Sequence, residues 1–244
     1  MTPSRRVVFP LSLAVFALVP VNAAMAADGD RWDWSLAPYV WASSVTTDVS
    51  IAGRSVETEA EFSDLIDALD YGVLMHAEGQ GDDFGVFADL VYMKVSDEKD
   101  GSVLRTDASL TSTLFELAMV WSPGDQRNLG FEGFAGLRYM ENKVDASFEP
   151  VDPALPTARR VVDPSTADVL IGARYTAAIS PRWSVTFRGD GSFGESDGSY
   201  GASVLLQYRT EGGAWAFGYR HLDYSSDALD QVLTGPAVGY IFKF

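Results

Sequence analysis

Apolar and polar residues alternate through most of this chain, in segments of about ten residues set apart by clusters of Gly, Asp, Ser, Asn and Pro. A period of two puts successive side chains on opposite faces of a strand, so each segment predicts a strand whose two faces meet different surroundings. From Trp32 the first has Trp32, Trp34, Leu36, Pro38 and Val40 on one face, and Asp33, Ser35, Ala37, Tyr39 and Trp41 on the other. Further strands follow over Tyr71–Gln80, Phe84–Val95, a segment ending at Trp121, Leu129–Met140, Asp168–Ile179, Trp183–Asp190, Tyr200–Arg209 and Trp215–Tyr224. The last ten residues, GPAVGYIFKF, close the series: Val238, Tyr240, Phe242 and Phe244 alternate with Ala237, Gly239, Ile241 and Lys243. The expected loops include 96–102, the proline-bearing stretch 141–166, 191–199 and 225–233.

One segment keeps a different period. Phe62, Leu65, Ile66 and Leu69 fall at helical spacing, Ser63 can cap the first turn, and Asp64 suits a helix N-terminus, which predicts one short helix near 63–69. Just before it, the polar stretch 48–60 predicts a hairpin turning at Ala52-Gly53.

Connections alternate between short and long. Residues 80–83, 122–128, 180–182 and 210–214 are short, and the intervening links are longer. An even number of antiparallel strands closed into an up-and-down barrel has that rhythm, with both ends of the sheet on the short-turn side. Trp32, Trp34, Trp121, Trp183 and Trp215 all fall at strand ends on that same side, where a membrane barrel carries an aromatic girdle, while Tyr71, Tyr92 and Tyr139 fall towards the other end. The fold expected is therefore all-β: an antiparallel transmembrane barrel of about ten strands, with eight or twelve as alternatives that depend on how residues 45–61 pair.

Composition narrows the setting. Arg5 and Arg6, an apolar run from Val7 to Val21, and Ala24-Met25-Ala26 read as a secretory signal peptide over 1–26, leaving a barrel over 27–244. Without residues 1–26 the net charge moves from −16 to −18, which argues against a nucleic-acid partner. There is no cysteine, so export to an oxidising compartment brings no disulfides.

Four stretches carry a resemblance: WxWxxxPYxW at 32–41, FSDLIDALDYG at 62–72, FGVFADLVYMKVSD at 84–97 and the closing GPAVGYIFKF. They resemble a group of small outer-membrane β-barrel proteins of Gram-negative bacteria, to which no activity is attached. The resemblance implies residence in the outer membrane as a monomer, contact with its lipids and lipopolysaccharide, and assembly by the barrel assembly machinery. It also implies that Tyr240, Phe242 and the terminal Phe244 act as the assembly signal.

The face opposite the apolar one looks into the lumen of such a barrel. The second to fifth expected strands contribute His76, Glu78, Asp89, Glu116, Glu132 and Arg138, and the sixth to ninth Arg174, Arg188, Asp190, Gln207, Arg209 and Arg220. Carboxylates dominate one wall and guanidiniums the other. A ten-stranded lumen is little wider than the eight-stranded one that side chains fill, which favours closure by ion pairs among Glu78, Asp89, Glu116, Glu132, Arg138, Arg174, Arg188, Arg209 and Arg220. The other reading is a narrow, porin-like, water-filled passage with a transverse field.

An enzymatic alternative is a lipid-processing activity at the outer leaflet, of lipid A deacylase or phospholipase type. The chain has two histidines, and His221 with Asp223, Ser225 and Ser226 supplies the residue types of a Ser/His/acid site. Adjacency in sequence is a weak sign, however, and no motif of the ten-stranded omptin proteases is present. No catalytic residue is therefore assigned. The acidic segment 48–70 lacks EF-hand spacing, and neither a metal site nor a cofactor is expected.

Overall fold

The computed structural model describes residues 32–244 apart from 52–53, 61–67, 101–103, 125–127, 152–155 and 228. The strands are β1 (Asp33–Trp41), β2 (Ser44–Ile51), β3 (Arg54–Ala60), β4 (Leu69–Gln80), β5 (Phe84–Asp100), β6 (Leu104–Trp121), β7 (Gly130–Pro150), β8 (Ala158–Val162), β9 (Ser165–Ala178), β10 (Trp183–Gly194), β11 (Gly198–Arg209), β12 (Gly213–Ser226) and β13 (Leu229–Lys243). Ten of them close a ring in the order β1-β4-β5-β6-β7-β9-β10-β11-β12-β13 and back to β1, antiparallel throughout. A closed ring leaves no unpaired edge within its wall, the condition for placing a sheet in lipid.

The remaining strands lie outside the ring. At Ala42 the first strand breaks, its N–H bonded to Pro236 O at 2.8 Å. The chain then continues as β2 along the outer part of β13, and β3 folds back on it, so residues 45–60 form a hairpin above the wall. The turn foreseen at Ala52-Gly53 lies outside the described residues, but Ile51 pairs with Arg54 on either side of it. Most of the predicted helix near 63–69 is also outside them, and Leu69 already belongs to β4.

The largest departure from the sequence reading is at the long-loop end. Residues 96–100, 104–110 and 141–150 continue the ladders of β5, β6 and β7, and β8 pairs with β7 beyond the start of β9. The sequences SDEKD, LRTDASL and ENKVDASFEP put polar residues at both parities, so these extensions lack the apolar alternation that marks the other strands. β10 and β11 also run into the expected loop 191–199, and β13 begins at Leu229 rather than Gly235.

The wall has an apolar outside. On β6 the outward positions read Trp121, Met119, Leu117 and Phe115, all exposed, before the first hydroxyl at Thr113. That stretch spans roughly 27 Å along the strand and about 20 Å in height once tilted, close to the apolar belt of a membrane barrel. Phe131 and Leu137 on β7, Val169 and Ile171 on β9, Phe187 on β10 and Phe217 on β12 continue it around the ring. Trp32, Trp34, Trp121, Trp183 and Trp215 are exposed at the short-turn rim. Trp34 lies flat over Gly79 of the next strand, whose missing side chain leaves the room: a Cβ there would meet the indole at 2.7 Å. At the other end Tyr71 and Tyr92 stack at 5.8 Å. Phe244 follows β13 at the short-turn rim, its N–H bonded to Trp34 O at 2.9 Å, and Tyr240 packs against both Phe242 and Trp215.

Candidate functional site: a layered lumen

Inward-facing residues form layers. The outer layer is apolar: Trp41, Val91, Leu114, Met140, Leu222, Tyr224 and Leu233, from β1, β5, β6, β7, β12 and β13, are buried against one another and fill the lumen there. Trp41 is held by a bond from its indole N–H to Gly235 O at 3.2 Å. Gly235 allows the approach, since a Cβ on it would meet Ala42 O at 2.0 Å where β1 gives way to β2.

Beneath this plug lies a connected net of charge. Arg138 donates to Glu116 Oε1 from Nε at 3.0 Å and from Nη2 at 2.6 Å, and also to Asp190. Arg188 bonds Glu116 Oε2 and Asp190 Oδ2, each at 2.8 Å. Arg174 donates to Glu132 at 2.6 Å and with two nitrogens to Glu78, four strands round the ring. Arg220 reaches Asp89 at 3.1 Å and Tyr39 Oη at 3.2 Å, and Tyr39 in turn donates to Asp89. Two-donor contacts of this kind fix both distance and orientation, which suits arginine better than lysine.

His76 joins the two halves of the net. Its Nδ1 lies 3.2 Å from Asp89 and its Nε2 3.3 Å from Glu78. Both partners are carboxylates that can only accept, so the ring that satisfies both contacts carries a proton on each nitrogen. Glu78, Asp89, Glu116, Glu132 and Asp190 are then matched by Arg138, Arg174, Arg188, Arg220 and the imidazolium.

Glycines make room for this net. Asp190 pairs in register with Gly172 on β9 and with Gly201 on β11. A Cβ on Gly172 would meet the Phe134 ring at 2.4 Å and Asp190 at 2.7 Å, and one on Gly201 would also meet Asp190 at 2.7 Å. Below the net on the β5–β9 side, Phe87, Ala118, Val120, Phe134 and Leu170 form a second buried cluster, with the Arg188 guanidinium over Phe134 at 4.9 Å and over Phe87 at 5.3 Å. At the short-turn end Gln80 donates to Ser122, and Ser122 to Glu132 at 2.6 Å.

The structure thus brings together Glu78, Asp89, Glu116, Glu132, Arg138, Arg174, Arg188 and Arg220, and adds His76, Asp190 and Tyr39. Arg209 is a correction: it has the same parity but stands exposed at the end of β11 on the short-turn rim, away from the net. The division into an acidic and a basic wall is also incomplete, because Arg138 pairs with its neighbour Glu116 and Asp190 with Arg188 on its own strand. Sequence reading missed the plug and the part played by Tyr39, although inward parity at Tyr39 and Trp41 was the available sign.

The enzymatic candidate does not assemble. His221 projects outward beside the Tyr200 ring at 5.6 Å, Ser225 bonds Asp230, and Ser226 bonds Leu229 O at 3.0 Å. Ser225 lies four positions along the strand from His221, a distance of roughly 13 Å. His76 has both nitrogens engaged by carboxylates, which leaves neither to activate a nucleophile. Of the acidic segment 48–70, Asp70 accepts from Ser96 at 2.7 Å and lies 3.6 Å from Lys94, while most of the other side chains lie outside the described ones.

No known family matches the chain, and no curated protein does. Among solved structures it is similar to the attachment invasion locus protein Ail of Yersinia pestis, at 11% identity over 86% of this chain and 98% of that one, with a TM-score of 0.38. It is similar also to the outer-membrane protease OmpT of Escherichia coli, at 11% identity over 87% and 96%, with a TM-score of 0.43. A third is the outer-membrane protein OprG of Pseudomonas aeruginosa, at 13% identity over 88% and 97%, with a TM-score of 0.33. At this distance the likenesses assign no activity to the chain.

Proposed function

We propose that this protein is an outer-membrane β-barrel of structural type, with a lumen that passes no solute between its two ends. The observation that carries the reading is the pair of layers across the lumen: the apolar plug around Trp41 and the balanced net beneath it. An ion crossing the plug would leave its hydration shell among groups that cannot replace it, at a cost of several kcal/mol. The weakly pore-forming reading would require both layers to part.

The outer apolar belt, the two aromatic rims and the acidic composition support residence in the outer membrane, after export by the segment 1–26, with lipids and lipopolysaccharide as neighbours. The terminal strand with Tyr240, Phe242 and Phe244 is the part we assign to recognition by the barrel assembly machinery. Membrane fractionation tests the location: the protein should sediment with the outer membrane and migrate as a heat-modifiable monomer. Vesicles containing it should retain a trapped disaccharide, and rapid release would contradict the closed reading.

A further inference from the structure

Beside the Phe87 and Phe134 cluster, on the other side of the lumen, the space below the net is not filled. A cavity of about 250 Å³ lies against β11, β12, β13 and β1 and reaches the short-turn rim, where Asn128 and Lys243 line its mouth. Its wall is built of short side chains, among them Ala37, Ser203, Ala216 and Ala237, with Leu205 and Ile241 adding apolar surface. Its far end is the charged net, and on the closed-lumen reading the plug above that net makes it a blind pocket.

The members of the net do not turn equally towards this space. Glu116, Glu132, Asp190, Asp89 and Arg138 have side chains 0 to 6% exposed, whereas those of Arg174, Arg188, Arg220 and His76 are 13 to 25% exposed. Among the acids only Glu78, at 13%, is comparably open. The net balances as a whole, and Glu78, Asp89, Glu132 and Asp190 also line the cavity, yet its more exposed members are mainly guanidinium and imidazole. Lys243 adds an ammonium at the mouth.

We propose that this cavity is a binding site for a small organic monoanion, entered from the short-turn end. Its carboxylate would meet the Arg188, Arg220 and His76 edge, and its compact apolar body the wall of Ala37, Ala216, Ala237, Leu205 and Ile241. Fixed cations in a water-poor pocket attract an anion more strongly than they would in bulk water, and guanidiniums already clamped by carboxylates lose little freedom on binding. The volume lies just below the range of drug-sized pockets, which limits the ligand to a single ring or a short chain. The inference rests on the closed-lumen reading for the direction of access alone.

Benzoate, benzamide and benzamidine share a ring and differ in charge, so they test this on the full barrel, refolded in detergent micelles and followed by titration calorimetry. Benzoate should bind saturably, with benzamide and benzamidine weaker by about tenfold or more. Ala216→Leu fills the cavity without touching an ion pair, and should weaken benzoate by about tenfold or more with unfolding temperature unchanged or raised. Should that variant fail to assemble, Lys243→Gln at the exposed mouth decides, with benzoate expected to weaken severalfold. Equal binding of the three probes, no saturable benzoate binding up to about 10 mM, or unchanged affinity in the deciding variant would overturn the proposal. A barrel that binds benzoate yet conducts ions would overturn the closed lumen alone. A silent barrel that binds none of the probes would overturn the binding site alone.

Discussion

Arg220 on β12 and Asp89 on β5 meet at 3.1 Å across four strand positions of the ring, with the Arg220 guanidinium also lying 4.8 Å from the centre of the Trp41 ring. One side chain thereby ties opposite walls together and supports the plug from below. A barrel braced in this way depends on its lumen for stability as well as on its ladders.

Glu116 is the first place to test that dependence. It is fully buried and accepts from Arg138 and Arg188, with Arg220 at 3.6 Å, so Glu116→Gln leaves three guanidiniums short of one negative charge. Removing one partner of a buried ionic net costs about 3–5 kcal/mol. Urea unfolding in lipid vesicles should show a loss of that order for E116Q, and a change below about 1 kcal/mol would mean that the net does not brace the barrel.

Gly172 and Gly189 make a matched pair. A methyl group on Gly172 strikes Phe134 and Asp190, whereas one on Gly189 meets nothing within 4 Å. Gly172→Ala should lower stability by about 1–3 kcal/mol through overpacking, and Gly189→Ala should be neutral or better. The same unfolding assay checks both, and equal effects would contradict the assigned faces of β9 and β10.

The tryptophans divide by depth. Single-tryptophan variants keeping Trp32, Trp34, Trp121, Trp183 or Trp215 should be quenched by bromine carried near the lipid headgroups, because all five are exposed at one rim. A variant keeping only Trp41, 3% exposed in the lumen, should not respond to brominated lipid at any depth. Two or more of the rim tryptophans escaping quenching would place the membrane boundary elsewhere.

Phe244 is 76% exposed and its side chain is not part of the core, so its deletion removes little packing from the folded barrel. The variant lacking it should refold in detergent with near-normal stability and yet accumulate poorly in the outer membrane of cells. Equal loss in both settings would make the residue structural, and no loss in either would remove it from the assembly signal.

The ring and its lumen face were legible in the sequence because lipid and lumen impose opposite chemistry on alternate residues; Glu78, Asp89, Glu132 and Arg174 stand out by parity alone. Parity gives the face but not the height, so it places Arg209 with residues that lie deeper. Nor does it give partners across the lumen: nothing local in the chain joins Arg174 to Glu78, whose meeting depends on the stagger of the closed ring. The extensions of β5, β6 and β7 are hidden for a different reason, since their polar residues occupy both parities and leave no contrast to read. The cavity left a faint trace in Ala216, Gly218, Ala237 and Gly239, small residues at inward positions on neighbouring strands, which gain meaning only once the wall they form is seen opposite long arginines.

The central claim is that the plug and the net close the lumen, and steady conductance across a planar bilayer measures it most directly. The intact protein should insert and stay silent. Trp41→Ala, which removes the largest member of the plug, should show flickering leak currents and a stability loss of about 3–5 kcal/mol. A large, stable, ion-selective conductance from the intact protein would contradict the account.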